Sequence, residues 1–246
     1  MRIYGAEESI SYNDTREFFS KRAKKYNEDT PYSVTMYQDD YPELVKARNE
    51  NETRKIIPLM RLNSDSKVLD VACGVGRWSD SITIDISRYC GVDFCGELIA
   101  LANQRNANEQ NRVFYEGFSV ELTKVLKANN EGLFNRVLLI GALMYINDSD
   151  VLSTLLQIEE NCEEKAIVCI REPIGVEKRL TLKDNYSEEL NDYYNAIYRT
   201  RDELYEMIEK AFLSKGFVIK EEDVLFKESN LNNRKETTQY YFVLER

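Results

Sequence analysis

The stretch Val68-Leu69-Asp70-Val71-Ala72-Cys73-Gly74-Val75-Gly76-Arg77-Trp78 joins a short apolar run to a pair of glycines. Val68 to Val71 has the length and character of one buried parallel strand. Glycine has no Cβ and tolerates positive φ, so the chain beyond that strand can turn sharply and let a ligand approach its backbone. Strand, glycine turn and helix start in succession build the phosphate- or nucleotide-binding crevice of open α/β sheets. A second apolar run, Tyr89 to Asp93, ends in a carboxylate placed to accept both hydroxyls of a ribose. Two glycines on their own are weak evidence for any dinucleotide.

Taken with Gly91-Val92-Asp93-Phe94, the glycine stretch resembles motifs I and II of the class I S-adenosylmethionine-dependent methyltransferases. Asp70, Gly74, Gly76 and Asp93 match that family's acid, glycines and ribose-binding acid position by position, and Ala72 stands where a glycine is frequent. The resemblance implies a cofactor site of Asp70, Ala72, Gly74, Gly76, Asp93 and Phe94. It implies Phe118 and Ser119 at the adenine end, Gly141 at the substrate side, and Arg22 from an N-terminal lid. Many relatives carry an acid for the adenine amino group where this chain has Phe118, so adenine is expected against backbone groups and apolar faces. S-adenosyl-L-methionine is the implied cofactor and S-adenosyl-L-homocysteine the product. The implied fold is α/β, a seven-stranded doubly wound and mostly parallel sheet with an antiparallel terminal strand.

The elements needed to position these residues follow in order. Residues 1–12 read as an irregular arm. Asn13-Asp14-Thr15 can cap a helix from about Arg16 to Tyr26, and a second helix is expected from Pro42 to Leu62, with Pro58 as a candidate kink. Residues 1–62 form the expected helical lid and 63–246 the cofactor-binding domain, in one structural domain. Helices are expected over about 76–87, 97–106 and 149–160, and strands near 112–115, 136–140 and 165–171. The run Arg136-Val137-Leu138-Leu139-Ile140 is apolar without alternation, as in a strand covered on both faces. Residues 174–199 exceed the minimal repeat and read as a substrate insertion. Thr200-Arg201-Asp202-Glu203 is a capping box opening one more helix, which Gly216 stops, and two final strands near 217–225 and 238–244 complete the sheet.

Composition narrows the chemistry. The chain of 246 residues is 43% hydrophobic, carries a net charge of −10 and contains five cysteines and no histidine. It can bury a proper core. Its acidic balance argues against a nucleic acid partner, which requires basic surface to displace counterions. No apolar stretch reaches membrane-spanning length and the polar start is no signal peptide, so no membrane insertion and a cytoplasmic location are expected. Without histidine or a CxxC pair no metal site is expected, and the cysteines read as reduced thiols.

A general base must then be Asp, Glu, Tyr or Lys. Tyr145, Glu172 and Asp39, with its neighbour Asp40, are the candidates beside the reacting atom, each with a plain structural alternative. Arg199, Arg171 and Arg179 are expected at the substrate mouth, where guanidinium forks suit phosphate or carboxylate. The expected function is O-methylation of a small polar acceptor, anionic ones included, such as a sugar or phosphorylated glycan precursor. That places the chain beside bacterial methyltransferases of surface-carbohydrate pathways, a resemblance at the level of fold. The alternatives are N-methylation of an amino sugar or other small amine, and a regulatory subunit that binds the cofactor without catalysis. A monomer or a homodimer is expected.

Overall fold

The structure is a computed structural model of the chain, and it describes residues 1–37, 40–227, 231–232 and 234–246. The N-terminal segment supplies β1 (Arg2–Tyr4), α1 (Tyr12–Ala23), α2 (Ser33–Met36) and α3 (Pro42–Met60). An alternating succession follows: β2 (Lys67–Val71), α4 (Arg77–Ser81), β3 (Arg88–Asp93), α5 (Gly96–Arg105), β4 (Arg112–Glu116), α6 (Leu122–Ala128), β5 (Phe134–Ile140), α7 (Asp148–Glu160) and β6 (Cys162–Gly175). The chain closes with the hairpin β7 (Leu180–Ser187) and β8 (Asp192–Tyr198), then α8 (Arg201–Ala211), β9 (Val218–Val224) and β10 (Thr237–Glu245).

Seven strands form the main sheet in the order β4-β3-β2-β5-β6-β10-β9. Pairs among β2 to β6 are parallel, whereas β10 runs antiparallel to both neighbours. The chain leaves β2 toward one edge and returns through β5 toward the other, so the order reverses between them, the place where open α/β sheets bind ligands. Adjacent residues of each central strand feed opposite faces. Leu69, Val137 and Leu139 pack with Leu126, Leu155 and Ile208 of α6, α7 and α8. Val68 and Leu138 pack instead with Ile56 and Met60 of α3 and with Ile99 and Ala102 of α5. That two-sided burial is why these strands read as unbroken apolar runs.

Several local expectations change. The N-terminal arm contributes a strand, because Arg2, Ile3 and Tyr4 pair antiparallel with Leu182, Thr181 and Leu180. Residues 174–199 are the end of β6 and a regular hairpin, so β1, β7 and β8 make a small second sheet. The helix after the glycine turn stops at Ser81, and the buried Ile82 and Ile86 continue as connecting chain. A third apolar cluster joins this small sheet to the first helices: Phe18, Phe19 and Val34 meet Leu180, Tyr194 and Tyr198, with Val75, Leu98 and Met144 from the sheet loops beneath. The first helices and the hairpin thus form one cap over the carboxyl ends of the strands. The Thr200–Glu203 capping box is present, with Thr200 Oγ1 accepting from the Glu203 amide.

Candidate active site

A cavity of about 270 Å³ lies between the strand ends and the cap. Its first half is built on backbone. After β2 the chain passes through three left-handed positions, Ala72 (φ 62°), Gly74 (φ 55°) and Gly76 (φ 79°). The Ala72 and Cys73 amides donate to the Val92 carbonyl at 2.7 and 3.2 Å, stitching this loop to β3. A Cβ on Gly74 would sit 2.8 Å from Thr35 Cγ2 of the cap, so glycine is required there for space as well as for φ. Asp93, at the end of β3, accepts the Gly74 amide on one oxygen and the Cys95 amide on the other, each at 2.9 Å. Burial pushes its pKa up to about 6, while the Cys95, Gly74 and Phe94 amides pull the other way. A carboxylate has about four lone-pair sites, so two amides leave room for two further donors. Phe94, Phe118 and Ser119 extend the wall, the two rings 6.1 Å apart, with the Arg16 guanidinium over Phe118.

The second half is built on side chains. Tyr37, Tyr145, Tyr194 and Tyr198 line it together with Arg48, Glu52, Arg171 and Arg234. The hydroxyls of Tyr37 and Tyr145 meet across it, and burial pushes the pKa of both far up. Arg234 donates to the Tyr194 hydroxyl and to the Tyr198 hydroxyl, the latter at 3.1 Å. Glu52, 1% exposed, takes Arg77 on one oxygen at 2.8 Å and Arg171 on the other.

The expected site residues divide accordingly. Ala72, Gly74, Asp93, Phe94, Phe118, Ser119, Gly141 and Tyr145 line the cavity. Asp70, Gly76, Arg22, Glu172 and Arg199 are not among its lining residues, and Asp39 lies outside the described residues. Asp70 points into the sheet and accepts the Tyr89 hydroxyl, with its pKa raised by burial to about 7. Gly76 is the N-cap of α4, beneath the loop. Arg22 donates to the Ser33 and Val34 carbonyls and so anchors α2 within the cap. Glu172, 2% exposed, is consumed by backbone: its carboxylate accepts the Ala142, Leu143 and Met144 amides at 2.7, 2.9 and 3.2 Å. Arg199 and Arg179 converge on Asp148 instead of on the mouth, and Arg199 also donates to the Leu143 and Ile146 carbonyls at 2.7 Å. Both are structural clamps on the loop after β5.

Sequence reasoning missed Arg48, Glu52, Arg77 and Arg234. Two of them left a signal. Arg48 and Glu52 fall on the same stripe of α3 as the buried Val45, Ile56 and Met60, where a plain packing helix would carry apolar residues. Arg234 follows a polar loop and left none.

A family model described as a methyltransferase domain matches residues 68–164. With the seven-stranded sheet and the loop–Asp93 geometry, that match marks a methyltransferase domain within the chain, over residues 68–164. The phosphoethanolamine N-methyltransferase of Plasmodium falciparum is 25% identical over 173 residues, which span 68% of this chain and 60% of that protein. Among solved structures, Haemonchus contortus phosphoethanolamine N-methyltransferase 1, in complex with phosphoethanolamine and S-adenosylhomocysteine, has a TM-score of 0.64 at 16% identity, covering 96% of this chain and 50% of that one. The N-methyltransferase NodS of Bradyrhizobium japonicum, bound to S-adenosylhomocysteine, has a TM-score of 0.59 at 12% identity, covering 93% and 98%. The residues present fit S-adenosylmethionine: Asp93 would take the ribose hydroxyls, Phe94 and Phe118 would face the adenine, and the Ala72–Gly74 loop would hold the amino-acid end. Among the described residues no group of three or more histidine, cysteine, aspartate or glutamate side chains could hold a metal, and no helix is long and apolar enough to cross a membrane.

Proposed function

We propose that the protein transfers the methyl group of S-adenosylmethionine to a nitrogen atom of a small polar acceptor bound in the tyrosine-lined half of the cavity. The cofactor supplies an electrophilic methyl on its sulfonium sulfur; the chain's own part is to bind, align and desolvate the acceptor. The observation that carries the choice of nitrogen is the fate of Glu172. A hydroxyl acceptor needs a base near the transition state, and the carboxylate best placed by sequence is tied to three backbone amides. Tyr145 and Tyr37 are pushed up by burial and remain protonated, so they donate and orient rather than abstract. Of the other carboxylates on the wall, Asp93 would serve the ribose end, Glu52 is held between two arginines, and Glu189, from the turn between β7 and β8, acts on Arg48. An amine can shed its proton to water before binding and then attack unaided, which an alcohol cannot. That the two phosphoethanolamine enzymes and NodS are N-methyltransferases supports the same reading.

O-methylation of a sugar or phosphorylated glycan precursor is the rival, and Asp39 would be its base. Incubation with labelled S-adenosylmethionine and two matched panels, small amines and amine-free sugars, separates them. Label appearing on an amine nitrogen is the expected result. Label on sugar hydroxyls alone defeats the nitrogen reading, and no transfer to any acceptor favours a cofactor-binding subunit.

A further inference from the structure

The arginines on the cavity wall differ in what they are bound to. Arg77 and Arg171 share the buried carboxylate of Glu52, and Arg77 also donates to Asn49 at 2.9 Å. Arg48 and Arg234 have no such partner. Arg48 is 5% exposed, yet among the described residues its side chain makes one hydrogen bond, from Nε to the Leu231 carbonyl at 2.9 Å. Among the described residues Arg234 donates to the hydroxyls of Tyr194 and Tyr198, and Glu236 acts on it through space. Among the described residues neither guanidinium has a carboxylate at ion-pairing distance; Glu189, on the same wall, acts on Arg48 through space. The Leu231 contact seats Arg48 of α3 against the chain segment that carries Arg234, and both line the one cavity.

A buried guanidinium without an ion-paired carboxylate is costly, and burial lowers the pKa of Arg48 while the more distant Glu189 pulls the other way. Evolution removes such a group, pairs it, or keeps it for a ligand. Here two, Arg48 buried and Arg234 half-buried, line one cavity without an ion-paired carboxylate among the described residues, in a protein whose net charge is −10. Their ligand must be anionic. A carboxylate would neutralise one; a phosphate monoester, carrying nearly two negative charges and three acceptor oxygens, matches two. Guanidinium forks bind such oxygens two at a time, and the Tyr194 and Tyr198 hydroxyls supply further donors.

We propose that Arg48 and Arg234, with Tyr194 and Tyr198, form a binding site for a phosphate monoester group on the acceptor. This rests on the reading that the tyrosine-lined half receives the acceptor, and it assigns the group that holds the acceptor there. The site differs from the one the arginine count suggests, since Arg171, Arg179 and Arg199 are already neutralised by Glu52 and Asp148.

The test uses the full chain saturated with S-adenosylhomocysteine and titrated calorimetrically with phosphoethanolamine, ethanolamine, β-alanine and inorganic phosphate. Phosphoethanolamine is expected to bind at least about a hundredfold tighter than ethanolamine and about tenfold tighter than the carboxylate analogue, with inorganic phosphate competing. Arg234→Gln and Arg48→Gln are each expected to weaken it about tenfold or more, while the affinity for S-adenosylhomocysteine shifts by less than about twofold. Because Arg48 also anchors Leu231, Arg234→Gln is the cleaner variant, and thermal unfolding checks that both fold. Equal binding of phosphoethanolamine and ethanolamine, preference for β-alanine, or no saturable binding of either phosphate probe overturns the proposal. So does a loss of S-adenosylhomocysteine affinity in the variants, which would assign these arginines to the cofactor's own carboxylate. Phosphoethanolamine that binds through both arginines and accepts no methyl leaves the phosphate site standing and defeats the nitrogen reading, so the two fail separately.

Discussion

The two halves of the cavity are assembled by different means. The cofactor half comes from consecutive strand ends: the loop after β2, Asp93 at the end of β3, and Phe118 just beyond β4. Its hydrogen bonds run largely through backbone, as in the Ala72 and Cys73 amides on Val92 and the Gly74 and Cys95 amides on Asp93. The acceptor half takes Arg48 from α3, Tyr145 from the turn after β5, Tyr194 and Tyr198 from β8 and Arg234 from the approach to β10. Its contacts are largely side chain to side chain between segments distant in sequence, as between Tyr37 and Tyr194, whose rings lie 6.4 Å apart. Tertiary approach, and not local spacing, creates it. Substitutions in the first half should therefore act through space and backbone conformation, and those in the second through charge and hydroxyl networks.

The largest effect is expected from neither half. Arg199→Ala removes a guanidinium of 1% side-chain exposure from Asp148 and from two carbonyls. Stability should fall by about 3 kcal/mol, from the void left by a large buried side chain and from two carbonyls losing their donor; Arg179 remains on Asp148 and limits the loss. Urea unfolding measures it. A raised Michaelis constant for the acceptor with stability unchanged would return Arg199 to the substrate mouth.

Next in size is Gly74→Val. The site requires φ of 55° and has 2.8 Å between an added Cβ and Thr35 Cγ2. Left-handed strain alone is roughly 1–2 kcal/mol, and a β-branched side chain adds the clash. S-adenosylhomocysteine affinity should fall by about thirtyfold or more. Calorimetric affinity within a factor of two of the parent would mean the loop does not carry the cofactor.

Why one half was readable in the sequence follows from the same contrast. A strand, two glycines and an acid at the end of the next strand are fixed by local sequence, so Gly74 and Asp93 could be placed in advance. Glu172 and Arg199 could not. Their types suit catalysis and anion binding equally well, and only the approach of the 142–146 turn shows that both are spent on backbone. The seven-stranded, mostly parallel sheet was legible through the resemblance, and its central strands through unbroken apolar runs that specify strands covered on both faces. The small second sheet was not, since β1 is three residues long and its partner lies about 180 positions away.

The pH dependence separates the halves further. Asp93 is raised by burial to about 6, above its ordinary 3.8. The native state therefore holds the extra proton between about pH 4 and 6, and stability without ligand falls as pH rises through that window. Asp70, raised to about 7, acts in the same direction on stability. Cofactor affinity should move the opposite way, because ribose hydroxyls need the ionised Asp93. The dissociation constant for S-adenosylhomocysteine should rise about tenfold between pH 7 and 5, from the proton competing at one site. Asp93→Asn should be weak throughout and nearly flat over that range. An unchanged slope in Asp93→Asn would give the titration to another group.

The smallest effect is the most informative about how the halves communicate. Tyr37 adopts φ of 64°, a left-handed conformation uncommon for an aromatic residue. Its ring packs on Phe18 at 5.8 Å and on Tyr194 at 6.4 Å, under the Arg22 guanidinium, while its hydroxyl meets that of Tyr145. Tyr145 belongs to the turn held by Glu172, so this hydroxyl pair ties the cap to the sheet across the cavity. Tyr37→Phe keeps the ring and removes the tie, a loss of about 0.5–1.5 kcal/mol. If closure of the cap over the cofactor uses that bond, S-adenosylhomocysteine should bind about two- to tenfold more weakly, though Tyr37 reaches the cavity from the acceptor side. Tyr145→Phe removes the same bond from the other end, so the double variant should cost no more than either single one. Additive losses would show that each tyrosine contacts ligand independently, and that the two halves are joined by packing alone.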